Sequence, residues 1–515
     1  MSMHVASVKK NVIANYIGQG WRTLMGLAFI PLYIKHLGME AYGLIGSFFV
    51  LQAWLGLLDM GIRPALGREM ARFTAGSHNS QSIRDLLRST EIIVVGIAAL
   101  VSAGIWIGSS WLATHWVIAA KLPSQNVSNA FTLMGLVVAL SFVESVYVST
   151  LAGLQRQVIQ NVAGSLIATV RAIGAVAVLA WISPSIEAFF IWQGLVSSAS
   201  VLVFSTIVHK SIPPAPRPSR FSRNSVVEVW QFAARTTAIT FLALLLTQVD
   251  KILLSRVLPL ADFGNYALAA LVANGLYVLA TPVTAAIYPR FTELVTRCDE
   301  PALRAMYHQG AQLVTVLMGS AAIALIVFGT QALSLWTSDP ILTKQVSPLL
   351  AVMALGTLLN GLMWIPHQLQ LAYGWTSLAI KTNLIAVATL IPAILWVAPR
   401  FGGIGTAWVW VALNSGYVLI AIYFMHRRLL PAEKWRWYIS DVSLPLLAAS
   451  SAAVLCRHWI PIGDTKLTEL ASLVICGFLI LSSAVVAAPL VRREVGSQIA
   501  FRLRLLLAGR SIGRK

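Results

Sequence analysis

Acidic residues are scarce in this chain. Nineteen Asp and Glu stand against 38 Lys and Arg in 515 residues, and the four types together make up only 11%, where an ordinary soluble domain carries roughly 25%. With 57% hydrophobic residues, such a chain cannot cover a water-facing surface, which excludes a soluble globular fold. Cysteine is nearly missing too. Cys298, Cys456 and Cys476 have no metal-ligand spacing and build no disulfide framework. Also lacking are H-E-x-x-H, G-x-S-x-G and P-loop motifs, and the nine histidines are scattered without ligand spacing. No metal, no cofactor and no catalytic constellation are expected. The first apolar segment, from Val12, is too long and lacks the small-residue site of a cleavable signal peptide.

What is present in quantity is apolar sequence in continuous runs of about twenty residues or more, the length a helix needs to cross about 30 Å of hydrocarbon. Only helices and closed barrels satisfy the backbone in lipid, and barrel strands would alternate in polarity instead. The expected fold is an all-α integral membrane bundle of about fourteen spans. They are placed near 12–35, 42–66, 90–118, 129–153, 162–182, 187–209, 230–257, 263–290, 309–336, 346–372, 379–398, 404–425, 438–459 and 467–491. Loop Lys and Arg fall into two alternating groups, roughly 25 on one side and 7 on the other. The positive-inside rule then puts both termini in the cytoplasm. Attraction to anionic phospholipids accounts for the rest of the +19 charge, so nucleic acid is not an expected partner. Trp116, Trp336, Trp435 and Trp437 fall at predicted interfaces, as in an aromatic belt.

The expected organisation is an N-terminal lobe (1–209), a Pro-, Ser- and Arg-rich cytoplasmic linker (210–229), a C-terminal lobe (230–425), two additional helices (426–491) and a basic cytoplasmic tail (492–515). Outward loops of no more than about a dozen residues leave no room for a soluble catalytic domain. A separation of 221 residues relates Gly43 to Gly264, Gly135 to Gly356 and Gly153 to Gly374, each pair at the same place in the helix order. This predicts two six-helix lobes related by a parallel repeat around a central cleft.

The stretch Phe29 to Phe73, FIPLYIKHLGMEAYGLIGSFFVLQAWLGLLDMGIRPALGREMARF, resembles the polysaccharide-exporter branch of the multidrug/oligosaccharidyl-lipid/polysaccharide flippase superfamily. Its marks are a Pro in the first helix, LGxExYG, D-x-G near the end of the second helix and a basic R-E-x-A-R turn. QVDKILLSRVL (Gln248 to Leu258), FGNYALA (Phe263 to Ala269) and the glycine turn FGGIGTAWVW (Phe401 to Trp410) extend the likeness over about residues 10 to 425. The resemblance implies flipping of an undecaprenyl-diphosphate-linked oligosaccharide to the periplasmic leaflet by alternating access, for O-antigen or exopolysaccharide assembly. A polysaccharide polymerase and a chain-length regulator are the protein partners it brings in. Coupling to H+ or Na+ stays open.

Six cations lie within the expected spans: Arg22, Arg63, Arg171, Arg235, Lys251 and Lys381. Each costs at least about 2.5–3.5 kcal/mol at mid-bilayer unless it meets a partner or a watery cavity. Arg22 and Arg171 each lie roughly 15 Å deep, with no acid three or four positions away. They fit a cationic cleft for a diphosphate, which guanidinium engages bidentately, or else a salt bridge to an acid such as Glu144. Arg235 is shallower, so snorkelling competes with a cleft role; Lys381 is expected to snorkel. Asp250 and Lys251 are adjacent and point about 100° apart, so they are not expected to pair with each other. Lys251 joins the cleft candidates, while Glu144 and Asp250 are candidates for proton coupling or for charge partners. Asp59 and Arg63, at i and i+4, read as a structural pair.

A multidrug cation antiporter of the same fold should show acids in its cavity, the reverse of this pattern. A lipid II flippase also needs a cationic cleft and is set apart by the exporter-like segment at 29–73. A membrane glycan polymerase or ligase would need a larger outward loop.

Overall fold

A computed structural model describes residues 8–55, 62–74, 76, 78–223, 241, 244–461, 463, 465–494 and 496–497. Its first part comprises α1 (Val8–Ala28), α2 (Ile30–Leu55), α3 (Ile62–Thr74), α4 (Ser80–Trp111), α5 (Ser124–Gly153), α6 (Gln157–Trp181), α7 (Ile186–Ser211) and α8 (244–257). There follow α9 (Leu260–Asn274), α10 (Tyr277–Thr296), α11 (Glu300–Thr337), α12 (Pro340–Leu362), α13 (Trp364–Ala372), α14 (Ser377–Gly416), α15 (Ile422–Leu429), α16 (Lys434–Arg436), α17 (Leu444–Trp459) and α18 (Lys466–Ala487). Single π-helical turns carry α14 into α15 and α16 into α17.

Among the described residues, ten helices are long and apolar enough to cross a membrane. The 53-residue one, Ser377–Leu429, breaks at Gly402 (φ 59°) into the two helices expected near 379–398 and 404–425. Gly38 (φ 79°) likewise splits α2, so the first expected span is α1 with the start of α2 and the second begins at Met39. Residues 244–257 stand for the seventh. Every expected span thus has a helical counterpart among the described residues.

Contacts divide the chain into two compact units, Met1–Gly264 and Asn265–Lys515. In the first, α5 is central and packs on α7, α4, α3 and α2. In the second, α11 is central and packs on α12, α10, α18 and α17. The two last helices are integral to this unit: Ala449, Ala453, Cys456, Cys476 and Ile480 bury against Val316, Ile323 and Phe328 of α11.

The break at Gly38 explains why LGxExYG has the residues it has. Glu40 turns its carboxylate onto three backbone amides beyond α4: Oε1 accepts from Ala120 (2.7 Å), Lys121 (2.9 Å) and Leu122 (3.2 Å). One turn on, Gly43 lets α2 press against the start of α9. A Cβ there would lie 2.1 Å from the Leu260 carbonyl oxygen, and one on Gly264 would lie 2.8 Å from that of Met39. The other repeat-related glycines are used less evenly. Gly135 admits Ile105 and Gly356 admits Trp410, both at close helix crossings, whereas Gly153 packs on Gly67 and Gly374 supplies a turn at φ 65°.

The structure corrects two of the sequence readings. The R-E-x-A-R segment is no turn but the body of α3, where buried Glu69 is held by Arg72 (3.0 Å) and His78 (2.8 Å). Trp437 is no belt residue. It is fully buried against His426 and Tyr438, because the π turn that opens the α17 segment rotates it inward. Trp435, in contrast, is 66% exposed.

Of the linker expected at 210–229, residues 212–223 are stitched along α4. Gln81, Asp85 and Ser89, spaced one turn apart, accept the amides of Arg217, Arg220 and Ser222 at 3.1, 2.8 and 2.8 Å. Arg84 donates to the carbonyls of Pro213 and Ile212, both at 2.8 Å. At about 0.5–1.5 kcal/mol per bond, the double change Gln81→Ala, Asp85→Ala removes enough to speed trypsin cleavage after Arg220, which precedes Phe221, roughly tenfold. Equal cleavage rates of solubilised wild type and variant would show that these two acceptors do not hold the segment.

Candidate functional site

Polar side chains of α1 and α6 bridge the two helices. Asn15 donates to Gln157 (2.6 Å), Asn161 to Asn15 (2.6 Å) and Trp21 to Thr169 (2.9 Å). These bonds fix the rotation of α1, and therefore the direction of Arg22 one turn beyond Gly18. Gly164 on α6 makes room for it: a Cβ there would stand 3.0 Å from Arg22 Nη1. Arg22 itself is half-buried and donates to Gln19 Oε1 at 3.3 Å.

Arg171, also on α6, is oriented by α7. Its Nη1 donates to Gln193 Oε1 and Ser197 Oγ, each at 3.2 Å, and Trp192 Nε1 donates to its backbone carbonyl at 3.2 Å. Among the described residues, no carboxylate comes within salt-bridge distance of Arg22 or Arg171. Glu144 on α5 interacts electrostatically with Arg171 without forming that bridge.

Arg22, Arg171 and Glu144 line one cavity of about 500 Å³ inside the first unit. Tyr33, Phe48, Phe49 and Phe189 form its aromatic side, with Gln52, Ser141, Ser145 and Gln193 as further polar groups. The Tyr33 and Phe189 rings meet edge to face at 5.3 Å, and the Tyr33 hydroxyl donates to the Ala172 carbonyl. Guanidinium groups that no carboxylate bridges, outnumbering the one carboxylate of the lining, attract a polyanion, and aromatic rings suit the C–H surfaces of sugar rings.

A family model described as polysaccharide biosynthesis protein matches residues 8–295, more than half of the chain. The chain belongs to this family. It is 20% identical over 407 residues to a Shigella flexneri protein named for O-antigen transport, covering 78% of this chain and 94% of that protein. Its fold is similar to that of the lipid II flippase MurJ in an inward closed conformation, at TM-score 0.68 and 13% identity over 95% of this chain and 99% of that one. It is also similar to an inward-facing MATE multidrug resistance transporter of the MOP superfamily, at TM-score 0.62 and 12% identity, over 81% and 98% of the two chains. This member of the polysaccharide biosynthesis family is thus a multi-pass membrane protein whose all-α fold is similar to that of these transporters.

The other candidate residues lie elsewhere. Lys251 and Asp250 are on α8 and are not among the cavity-lining residues. Contrary to expectation they do pair, Lys251 Nζ standing 3.7 Å from Asp250 Oδ1. The long lysine stem folds back one turn, where Nζ also donates to the Thr247 carbonyl at 2.8 Å, and so closes an angle that shorter side chains could not. Lys381 is exposed in the second turn of α14. Arg235 and the Asp59–Arg63 pair lie outside the described residues, only the backbone of Arg63 in α3 being described. Sequence reasoning missed Tyr33, Gln193 and Ser197. A Gln and a Ser one turn apart in an apolar span are a signal for a buried hydrogen-bonding partner, and Arg171 is that partner.

Proposed function

We propose that this protein flips polyprenyl-diphosphate-linked oligosaccharide units from the cytoplasmic to the periplasmic leaflet of a bacterial inner membrane, by alternating access, for O-antigen or exopolysaccharide assembly. The observation that carries the reading is the cavity of Arg22 and Arg171 with no carboxylate bridging either. Two guanidinium groups match the charge of a diphosphate and can each bind it bidentately, while the aromatic side takes the first sugars. At about 500 Å³ the cavity is within the roughly 300–1,000 Å³ of small-ligand sites, so the lipid tail stays outside in the bilayer. The excess of loop cations supports cytoplasmic termini. Family membership and the likeness to a protein named for O-antigen transport favour a glycan unit over lipid II, and the cationic lining disfavours a cationic drug.

The test is transport in vesicles containing the purified protein and a fluorescent polyprenyl-diphosphate oligosaccharide, with lipid II and a lipophilic cation as competing substrates. The oligosaccharide lipid should be flipped in preference, and in cells Arg22→Ala should abolish surface polysaccharide at normal insertion. Preferred transport of lipid II or of the cation would overturn the assignment.

A further inference from the structure

The second unit contains a buried polar centre that the cavity does not explain. His308 of α11 is fully buried and both of its ring nitrogens face carboxylates: Nδ1 meets Asp441, itself fully buried, and Nε2 lies 3.0 Å from Glu433 Oε2. Asp441 Oδ1 accepts a further bond from Gln312 Nε2 (2.9 Å), and Gln312 Oε1 in turn accepts the Leu490 amide (2.9 Å). Gln312 is therefore oriented without ambiguity, its amide donating to Asp441. The other ionic and titratable groups facing the centre are few. From α11 come Arg304, 3.8 Å from Glu433 and paired with Glu300, and Tyr307. Arg436 of α16 lies 3.6 Å from Glu433. His426 of α15, Lys434 of α16 and Tyr438 of the following π turn complete the surroundings.

Counting protons decides what this centre is. Each contact between a ring nitrogen and a carboxyl oxygen needs one proton, carried by the ring or by the carboxyl group, and neutral imidazole supplies only one for the two. The neighbouring histidine is the contrast. His426 Nδ1 faces the Ile422 carbonyl at 3.0 Å, while Nε2 can accept from the Tyr307 hydroxyl at 3.2 Å. One proton satisfies His426; the two contacts of His308 need two, one more than its neutral ring supplies.

We propose that His308, Asp441 and Glu433 form a proton-binding site, holding one proton beyond that of neutral imidazole, and that this proton latches the start of the α17 segment to α11. With the proton bound, a cation sits between two carboxylates. Without it, a lone pair of the fully buried ring is pressed against a carboxylate oxygen, and the two elements are driven apart. Proton release and separation of residues 437–443 from α11 are then reciprocal, as linked equilibria must be. The site does not depend on the identity of the transported molecule.

The test is nitrogen NMR of the full-length protein, histidine-labelled, in lipid nanodiscs at about pH 7.5. One ring should carry protons on both nitrogens, its signal vanishing in His308→Gln. If that variant fails to insert, Glu433→Gln at the partly exposed end serves for the assignment by shifting the same signal. Amide exchange of residues 437–443, corrected for its intrinsic pH dependence, should speed up roughly tenfold on raising the pH through the loss of that signal, a change of about 1.4 kcal/mol, and should lose the step in His308→Gln. A singly protonated His308, or an exchange step unchanged in the variant, would overturn the proposal.

Discussion

Replacing Arg171 by Met is expected to lower transport at least roughly thirtyfold while inserted protein stays within about twofold, since removing one partner of a buried charge contact costs about 2–5 kcal/mol. Met keeps the length and apolar stem of the arginine, so packing between α6 and α7 survives. What disappears is the donor to Gln193 and Ser197 and the cation near Glu144. In the flippase reading the loss falls on the diphosphate, whose charge then meets Arg22 as the one cation left among the described lining residues, beside Glu144. Arg171→Lys separates charge from geometry. Lysine returns a point charge without the planar fork that binds two oxygens at once, so transport should recover by roughly tenfold and stop short of wild type. The measurement is the initial rate of flipping in vesicles, normalised to inserted protein. Wild-type rates for Arg171→Met would remove Arg171 from the substrate path.

The sequence made this cavity half visible. Arg22 and Arg171 were legible because a deep cation in an apolar span has to be explained, and each lacks a local acid. Their convergence was not legible, since 149 positions separate them and only the polar seam of Asn15, Gln157 and Asn161 fixes how α1 turns toward α6. The helices themselves were legible almost throughout, because hydrocarbon thickness sets a length that the apolar runs repeat. Where the reading failed, a local feature overrode the periodicity. A π turn swings Trp437 from the interface into the core, and a flexible stem lets Lys251 reach an adjacent carboxylate. The His308 centre left no trace in the sequence. Its partners lie 125 and 133 positions away, and a histidine at a helix end is indistinguishable from a solvated one until the packing is known.

Gly43→Val is the second change with a large expected effect, and it acts through backbone instead of charge. A Cβ at position 43 would stand 2.1 Å from the Leu260 carbonyl oxygen, a main-chain atom that cannot rotate away as a side chain would. The neighbouring contacts allow no easy retreat. Glu40 anchors this end of α2 to the amides of residues 120–122, Trp116 donates to Ser255 at 3.1 Å just before α9, and the Leu260 amide bonds to the Ile118 carbonyl at 2.9 Å. Overpacking of a fitted site costs about 1–3 kcal/mol, a factor of roughly 5 to 150 in the population of this closed contact. The expected result is that a disulfide trapped between cysteines at Met39 and Phe263 forms at least about fivefold more slowly in Gly43→Val than in the glycine parent. Gly43→Ala should show a smaller effect of the same sign, because one methyl group meets the same oxygen with fewer atoms behind it. Cross-linking at the parental rate in Gly43→Val would mean that α2 and the start of α9 yield at this point, and that the second glycine of LGxExYG is not what permits their close approach.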